Sequence, residues 1–445
     1  MAGGRFEKSV GKTRPGTYIN FDSGTTETAG SGSRGTVLIP LINASYGPAG
    51  TWLLLSNSSP DACKAQLGYS IYDSDENRQM LLIREAFKNA QKVYVYIIAE
   101  GEKATGTADS LTATAKYGGT RGNSLAVTIT ADALSGYDVT ISLDGSTVAS
   151  YEQLNTIEDL IAEDCEYITF SGSGDLAAVA ALNLSGGTDG EATNSDITAW
   201  MDAWESVKFN TAALPVDDDE LKAAAATKIK YMRDSMGKGV QVAMPDYDGD
   251  YEGVINVTNS VKLDDDALTH AEACAWVAGA TAGASKTQSL TYREYEGATE
   301  VVDAKTHEEA VAAIKNGEFF FSISENMAVV VEYDINSLIT FSDGKDSTYR
   351  KNRVIRVFDS FQEALQNNFQ PNKFDNSELG WEIMRGIGNT ILKQFEDDGA
   401  ITNVDYDNDF LVDQELSSGD QTYFDVGLQP VDSSEKLYFS VTTRS

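Results

Sequence analysis

Histidine is nearly missing from this chain, with only His270 and His307 among 445 residues. A general base is most often a histidine, so the scarcity leaves little room for hydrolytic chemistry. No Gly-x-Ser-x-Gly elbow is present either. Cysteine is equally sparse: Cys63, Cys165 and Cys274 are scattered and odd in number. They form neither a disulfide framework nor a metal-ligand spacing, and each reads as a buried thiol. No stretch approaches the roughly 18 uninterrupted apolar residues of a membrane span. The opening MAGGRFEKSVGKTRPG lacks the apolar core of a secretion signal. A soluble chain made in the cytoplasm is the expectation. Positive charge is the largest deficit, with 34 Lys and Arg against 68 Asp and Glu, a formal charge of −34. That excludes a general nucleic-acid binder, which needs a basic surface. It also discourages random association, so self-assembly has to come from specific, shape-matched contacts.

The chain is too long for one hydrophobic core, and two to four domains are expected. Residues 1–20 are locally basic, with Arg5, Lys8, Lys12 and Arg14 against Glu7, and RPGTYINF (14–21) reads as a turn followed by a short strand. From residue 34 the pattern becomes α/β. Val37–Leu41 reads as a buried strand, 76–90 as an amphipathic helix and 92–100 as a central strand, a βαβ-type unit. Residues 101–190 are rich in Gly, Ser, Thr and Ala, with thirteen acids against three bases. Short alternating runs at 124–130, 137–145 and 166–172, with an LDGS turn, indicate a separate β domain inserted into the first. Helices are expected at 196–207, 217–237 and 268–285, and strands at 239–247 and 255–263. Helix, glycine turn and strand follow from His307, then two strand-like runs in 327–341. Beyond about 336 come helices over 353–369 and 379–401, and then strands. Near the end Leu437, Phe439 and Val441 alternate with Tyr438, Ser440 and Thr442, the period of a half-buried strand.

Several motifs invite a chemical reading and fail it. VGKT (10–13) has Phe6 where a phosphate-binding loop needs glycine. DYDGDYEG (246–253) and DYDNDFLVDQE (405–415) resemble calcium loops, but the twelfth positions are Val257 and Leu416 rather than a bidentate Glu. GATAG (279–283) has the spacing of a membrane-helix contact, and close packing in a soluble core accounts for it better. His307 lies in THEEA, which reads as helix-capping chemistry. The segment GKDSTYRKNRVIR (344–356) gathers Lys345, Arg350, Lys351, Arg353 and Arg356 around Asp346. Its cations either pair with local acids at a helix start or offer a basic contact to an acidic partner surface. Nothing in the chain has the pattern of a metal, cofactor or active site.

Eight segments in order carry a family resemblance: RPGTYINF (14–21), RGTVLIPL (34–41), KYGGTRGNSLAVTI (116–129), EGVINVTNSV (252–261), WVAGATAGAS (276–285), VVVEYDINSLITF (329–341), KNRVIRVFDS (351–360) and VGLQPVDSSEKLYFSVTT (426–443). Together they resemble contractile phage tail sheath proteins, in the branch of phages of Gram-positive hosts and related phage-like particles or R-type bacteriocins. The resemblance implies a non-catalytic α/β core of subtilisin-like topology (25–100 and 191–335) and an outward β-sandwich (101–190). It implies a C-terminal α+β domain close to the tail tube (336–425), and arms at 1–24 and 426–445. Strands donated to neighbouring subunits would be Thr17, Tyr18, Ile19, Asn20 and Phe21 at one end, and Leu437, Tyr438, Phe439, Ser440 and Val441 at the other. Gly427 and Pro430 would let the second arm leave its own domain. Lys345, Arg350, Lys351, Arg353 and Arg356 would be the tube contact. Implied partners are further copies in a helical sheath, the tail tube, and baseplate and terminator proteins, with no cofactor, nucleic acid or membrane insertion. The setting would be a virion or tail-like particle assembled in the host cytoplasm. A surface-layer or coat protein is the competing reading, and it would call for a secretion signal.

Overall fold

The strand Thr36–Leu41 is buried along its whole length after Thr36, as a strand covered on both faces must be. It belongs to a computed structural model that describes residues 34–443, apart from 60, 61, 63, 74–76, 134, 265 and 343. Seven strands form its sheet, in the order Glu318–Phe319, Val254–Val257, Gln241–Pro245, Thr211–Ala213, Thr36–Leu41, Lys92–Ile97 and Trp52–Ser56. The first six run parallel and the last is antiparallel. Side chains alternate between two cores. Val37, Ile39 and Leu41 meet the helices Arg78–Phe87 and His270–Gly283. Leu38 faces Asn194–Ala203 and Asp219–Asp234, where Trp200 and Trp204 pack edge to face, 5.0 Å apart.

Close packing explains GATAG. A Cβ on Gly279 would lie 2.4 Å from the Ala86 carbonyl oxygen, and one on Gly283 2.2 Å from that of Asn89. The helix His270–Gly283 is buried all round from Ala273 to Ala282, so a bulkier residue has nowhere to go. Gly279→Val is expected to cost about 1–3 kcal/mol by overpacking, read as a lower urea midpoint. An unchanged midpoint would mean that the two helices separate easily.

The inserted segment forms two facing sheets. One is Val179–Asn183, Leu125–Ala131, Tyr137–Leu143 and Ser146–Leu154, and the other Thr105–Ala108, Leu111–Ala115 and Ile168–Gly172. Asp144 and Gly145, with φ of 50° and 76°, make the tight turn that LDGS indicated. The way in and the way out lie side by side, since the Glu102 carbonyl accepts from the Gly119 and Thr188 amides at 3.0 and 3.2 Å. A Cβ on Gly101 would sit 1.9 Å from the Thr188 oxygen. Arg121 docks the sandwich on the core, its guanidinium 4.1 Å from the Tyr69 ring centre and 2.5 Å from Asp144.

The C-terminal part packs the helices Asn352–Asn368 and Glu378–Asp397 against a hairpin, Phe410–Ser418 with Gln421–Val426. Phe361, Leu392, Phe395 and Phe410 fill its core. Among the described residues no helix is long and apolar enough to cross a membrane.

Some elements differ from the sequence expectation. Residues 255–263 make two strands, Val254–Val257 and Ser260–Leu263. Between them the Asn259 side chain exchanges two 2.8 Å hydrogen bonds with the backbone of Phe321. The second run within 327–341 is irregular after Val329–Val331. There the Ile339 and Thr340 amides donate to the Asp250 carboxylate rather than to a strand. The edge strand Trp52–Ser56 had no alternation to reveal it. Cys165 and Cys274 are buried thiols. Leu437–Val441 pairs with no strand among the described residues, and Thr17–Phe21 lies outside them.

Candidate functional site: the root of the C-terminal segment

After Val426 the chain leaves regular structure but not its own body. The Gly427 amide donates to the Asp409 carbonyl, Thr402 to Gln429 and Val431 to Ala400, each at 2.9 Å. A polar latch follows. Arg353 donates to the Ser433 hydroxyl at 2.7 Å. The Glu435 carboxylate accepts from the Ser289 and Thr291 hydroxyls at 2.7 and 2.8 Å and pairs with Lys351. Lys351 also reaches Asp432 at 3.5 Å. Burial works against the Lys351 ammonium, yet bonding to Glu435 and Tyr333 outweighs it and holds the pKa above the ordinary lysine value. The segment beyond is bare. Leu437 is 65% exposed, Phe439 83% and Val441 89%, a density of apolar surface that single chains seldom show at a terminus.

A buried staple lies beneath the latch. Arg356 has no exposed surface. Its guanidinium donates to Asp334 at 2.7 Å and to the Gln288 carbonyl at 2.6 Å. Asp334 also accepts from the Leu290 amide and the Asn352 side chain, both at 3.0 Å. Nearby, Arg233 and Asp359 form a two-pronged pair at 2.9 and 3.1 Å. These bonds tie the α/β core to the first C-terminal helix.

The structure places Lys345, Arg350, Lys351, Arg353 and Arg356, the residues expected at a tube contact, at this root of the C-terminal segment. Arg356 is enclosed, and Arg353 is buried and bound to Ser433. Lys351 is held by Glu435 and Lys345 by the buried Glu252, while Arg350 is partly buried. Lys345, Lys351 and Arg356 thus serve the protein's own carboxylates. The departure point moves as well: Gly427 and Pro430 stay on the protomer, and the free segment starts after Glu435. Glu435, Ser289, Thr291 and Asp334 were not singled out from sequence. The signal available for Glu435 was charge, since Asp432 and Glu435 stand in an otherwise nearly neutral tail and a block of cations needs acids nearby.

His270 sits between two carboxylates, with Nδ1 2.7 Å from Asp246 and Nε2 3.2 Å from Asp303. Two carboxylates placed to accept from the two ring nitrogens favour the imidazolium form, in which the ring has no lone pair for base catalysis. The bond to Asp246 and the charge of both acids raise its pKa against the opposing effect of burial. A raised histidine pKa stabilises fully below the ordinary value of about 6.5 and is lost as pH rises through the folded value. Urea melts at stepped pH are expected to show that loss, and His270→Gln to remove it. Equal pH profiles for both proteins would refute the clamp.

Comparison with known proteins shows the family. The family model for the phage tail sheath protein β-sandwich domain matches residues 99–189, that for the central domain 190–337, and that for the C-terminal domain 344–444. The phage-like element PBSX protein XkdK of Bacillus subtilis (strain 168) is 37% identical over an alignment 474 positions long, gaps included, covering 99% of each chain. The crystal structure of the sheath tail protein of Desulfitobacterium hafniense superposes with a TM-score of 0.81 at 37% identity, covering 96% of this chain and 99% of that one. The anti-feeding prophage helical sheath in its contracted state shares the fold alone, at a TM-score of 0.56 and 15% identity, covering 98% of this chain and all of that one. This chain belongs to the phage tail sheath protein family. It is a structural tail sheath protein rather than an enzyme.

Proposed function

We propose that this chain polymerises around a tail tube as an extended helical sheath, and that the sheath contracts to drive the tube through a host cell envelope. The observation that carries the reading is the bare, strand-patterned segment Leu437–Val441, held at its root by Glu435 and unpaired beyond it. The hairpin Phe410–Ser418 with Gln421–Val426 pairs only within itself among the described residues, so it has two open edges able to accept strands from other copies. Charge favours that docking. The hairpin strands and their turn carry Asp413, Glu415, Asp420 and Asp425 without a cation, whereas KLYFSVTTRS (436–445) carries Lys436 and Arg444 without an acidic side chain. In this reading Thr17–Phe21 is a second donated strand.

Contraction then needs two lattice packings of different free energy, with the arms keeping neighbours linked while bodies slide. The energy is stored during assembly. The parallel sheet is taken as the non-catalytic relative of a subtilisin-like core, the sandwich as an outward projection, and baseplate and terminator proteins as the partners at the two ends of the sheath. Assembly would take place in the host cytoplasm. Negative-stain microscopy of the purified protein is the direct test. Long striated tubes are expected, and a protein that stays monomeric at every concentration would refute polymerisation.

A further inference from the structure

One face of the helix Glu378–Asp397 has no work to do among the described residues of its own chain. Glu378, Leu379, Glu382, Ile383 and Gly386 recur at helical spacing and are all exposed, Leu379 to 73%. Glycine is unfavourable inside a helix unless something must approach closely. A Cβ on Gly386 would find no atom of the described residues within 4 Å, so whatever approaches lies outside them. Among the described residues Glu378 and Glu382 have no ion-pair partner, whereas Arg385 and Lys393 on the same helix are engaged with Asp407 and Asp397. The Asn376 side chain ties the start of this helix to the hairpin turn, donating to the carbonyls of Gly419 and Gln421 at 3.1 and 3.0 Å. Asp420 in that turn extends the acidic rim.

We propose that this acid-rimmed apolar face docks the basic segment Arg5–Arg14 of a second copy of the chain, a contact additional to strand donation. It deepens the polymerisation reading and rests on it for its role in the sheath. Two facts select the occupant. Arg5, Lys8, Lys12 and Arg14 against Glu7 make the N-terminal stretch locally cationic in a chain of charge −34, and Phe6 and Val10 between the cations suit the bare Leu379 and Ile383. The 33 residues before Arg34 reach up to roughly 110 Å when extended, far enough to cross to a neighbour.

The test is fluorescence anisotropy with a labelled peptide of residues 1–16, which stops short of Thr17–Phe21 and so does not probe strand donation. The full chain is the receptor. Glu378→Lys with Glu382→Lys is expected to weaken binding at least tenfold. A peptide carrying Lys8→Glu and Lys12→Glu should lose binding to the wild type and regain it on the reversed receptor. Equal binding by both receptors, or no recovery in the swapped pair, overturns the proposal. Gly386→Leu is the control against misfolding: it should melt no lower than the wild type while weakening the peptide at least tenfold, and unchanged binding counts against the close approach. Because peptide capture does not need a polymer, its failure is separable from failure of the sheath reading.

Discussion

A chain ending at Glu435 is expected to fold as well as the intact protein and to form no tubes. Everything removed lies beyond the latch, and Leu437, Tyr438, Phe439 and Val441 are bare in the single protomer. Deleting exposed groups changes stability by roughly 0.5 kcal/mol or less, so the urea midpoint should not move. Assembly should collapse. Each joint would forfeit its backbone ladder and the burial of Leu437, Phe439 and Val441, at about 1.5–3 kcal/mol per side chain. A helical polymer repeats that loss at every subunit, and an assembled fraction reduced more than a hundredfold is expected by sedimentation and microscopy. Cutting earlier, before Val426, confuses the question. It removes Glu435 from Lys351, and takes Val426 from the hairpin strand and Val431 from its bond to Ala400. Tubes from the chain ending at Glu435 would refute strand donation by this arm, whatever the longer deletion does.

The elements that sequence made legible are those governed by local periodicity. The strand at Thr36–Leu41, the helix at His270–Gly283 and the LDGS turn follow from apolar spacing and positive-φ chemistry, and the structure has all three. What stayed hidden is set by distant partners. Asn259 splits a strand because it bonds Phe321, and Asp250 holds Ile339 and Thr340 out of one. No window of sequence contains both members of such pairs.

The same limit applies to the basic block around Arg350. Clustered cations are visible in sequence, but the acids that neutralise Lys345, Lys351 and Arg356 lie 93, 84 and 22 residues away. Several of the segments that carried the family resemblance turn out to be joints. Gly119 in KYGGTRGNS would place a Cβ 1.9 Å from the Ser45 oxygen at the sandwich–core crossing. Asn352, Arg356 and Asp359 of KNRVIRVFDS bind Asp334, the Gln288 carbonyl and Arg233 across the core–helix crossing. Residues at such crossings are constrained from both sides, so their identities signal architecture more strongly than an interchangeable core leucine does.

The staple at that second crossing gives the largest stability effect expected of a single substitution. Arg356→Met would leave the Asp334 carboxylate enclosed with only the Leu290 amide and the Asn352 side chain as donors. Breaking one side of a buried pair costs about 3–5 kcal/mol, because the remaining charge is stranded away from water. Domains are stable by only about 5–15 kcal/mol, so a large fall in the urea midpoint and a poorly folding protein are expected. Adding Asp334→Asn should recover part of the loss, since a neutral amide leaves no stranded charge, although its single carbonyl oxygen can keep only one of the two bonds from Leu290 and Asn352. A single variant within about 1 kcal/mol of the wild type, or a double variant no better than the single, would show that the pair is not what joins the two parts. The double variant also separates fold from assembly. Glu435 keeps Ser289, Thr291 and Lys351 in it, so the arm root stays latched and tubes should form. Charge reversal at Arg353 or Arg356 would instead unfold this joint, and the assembly defect that followed would be a loss of the subunit rather than of a grip on the tube.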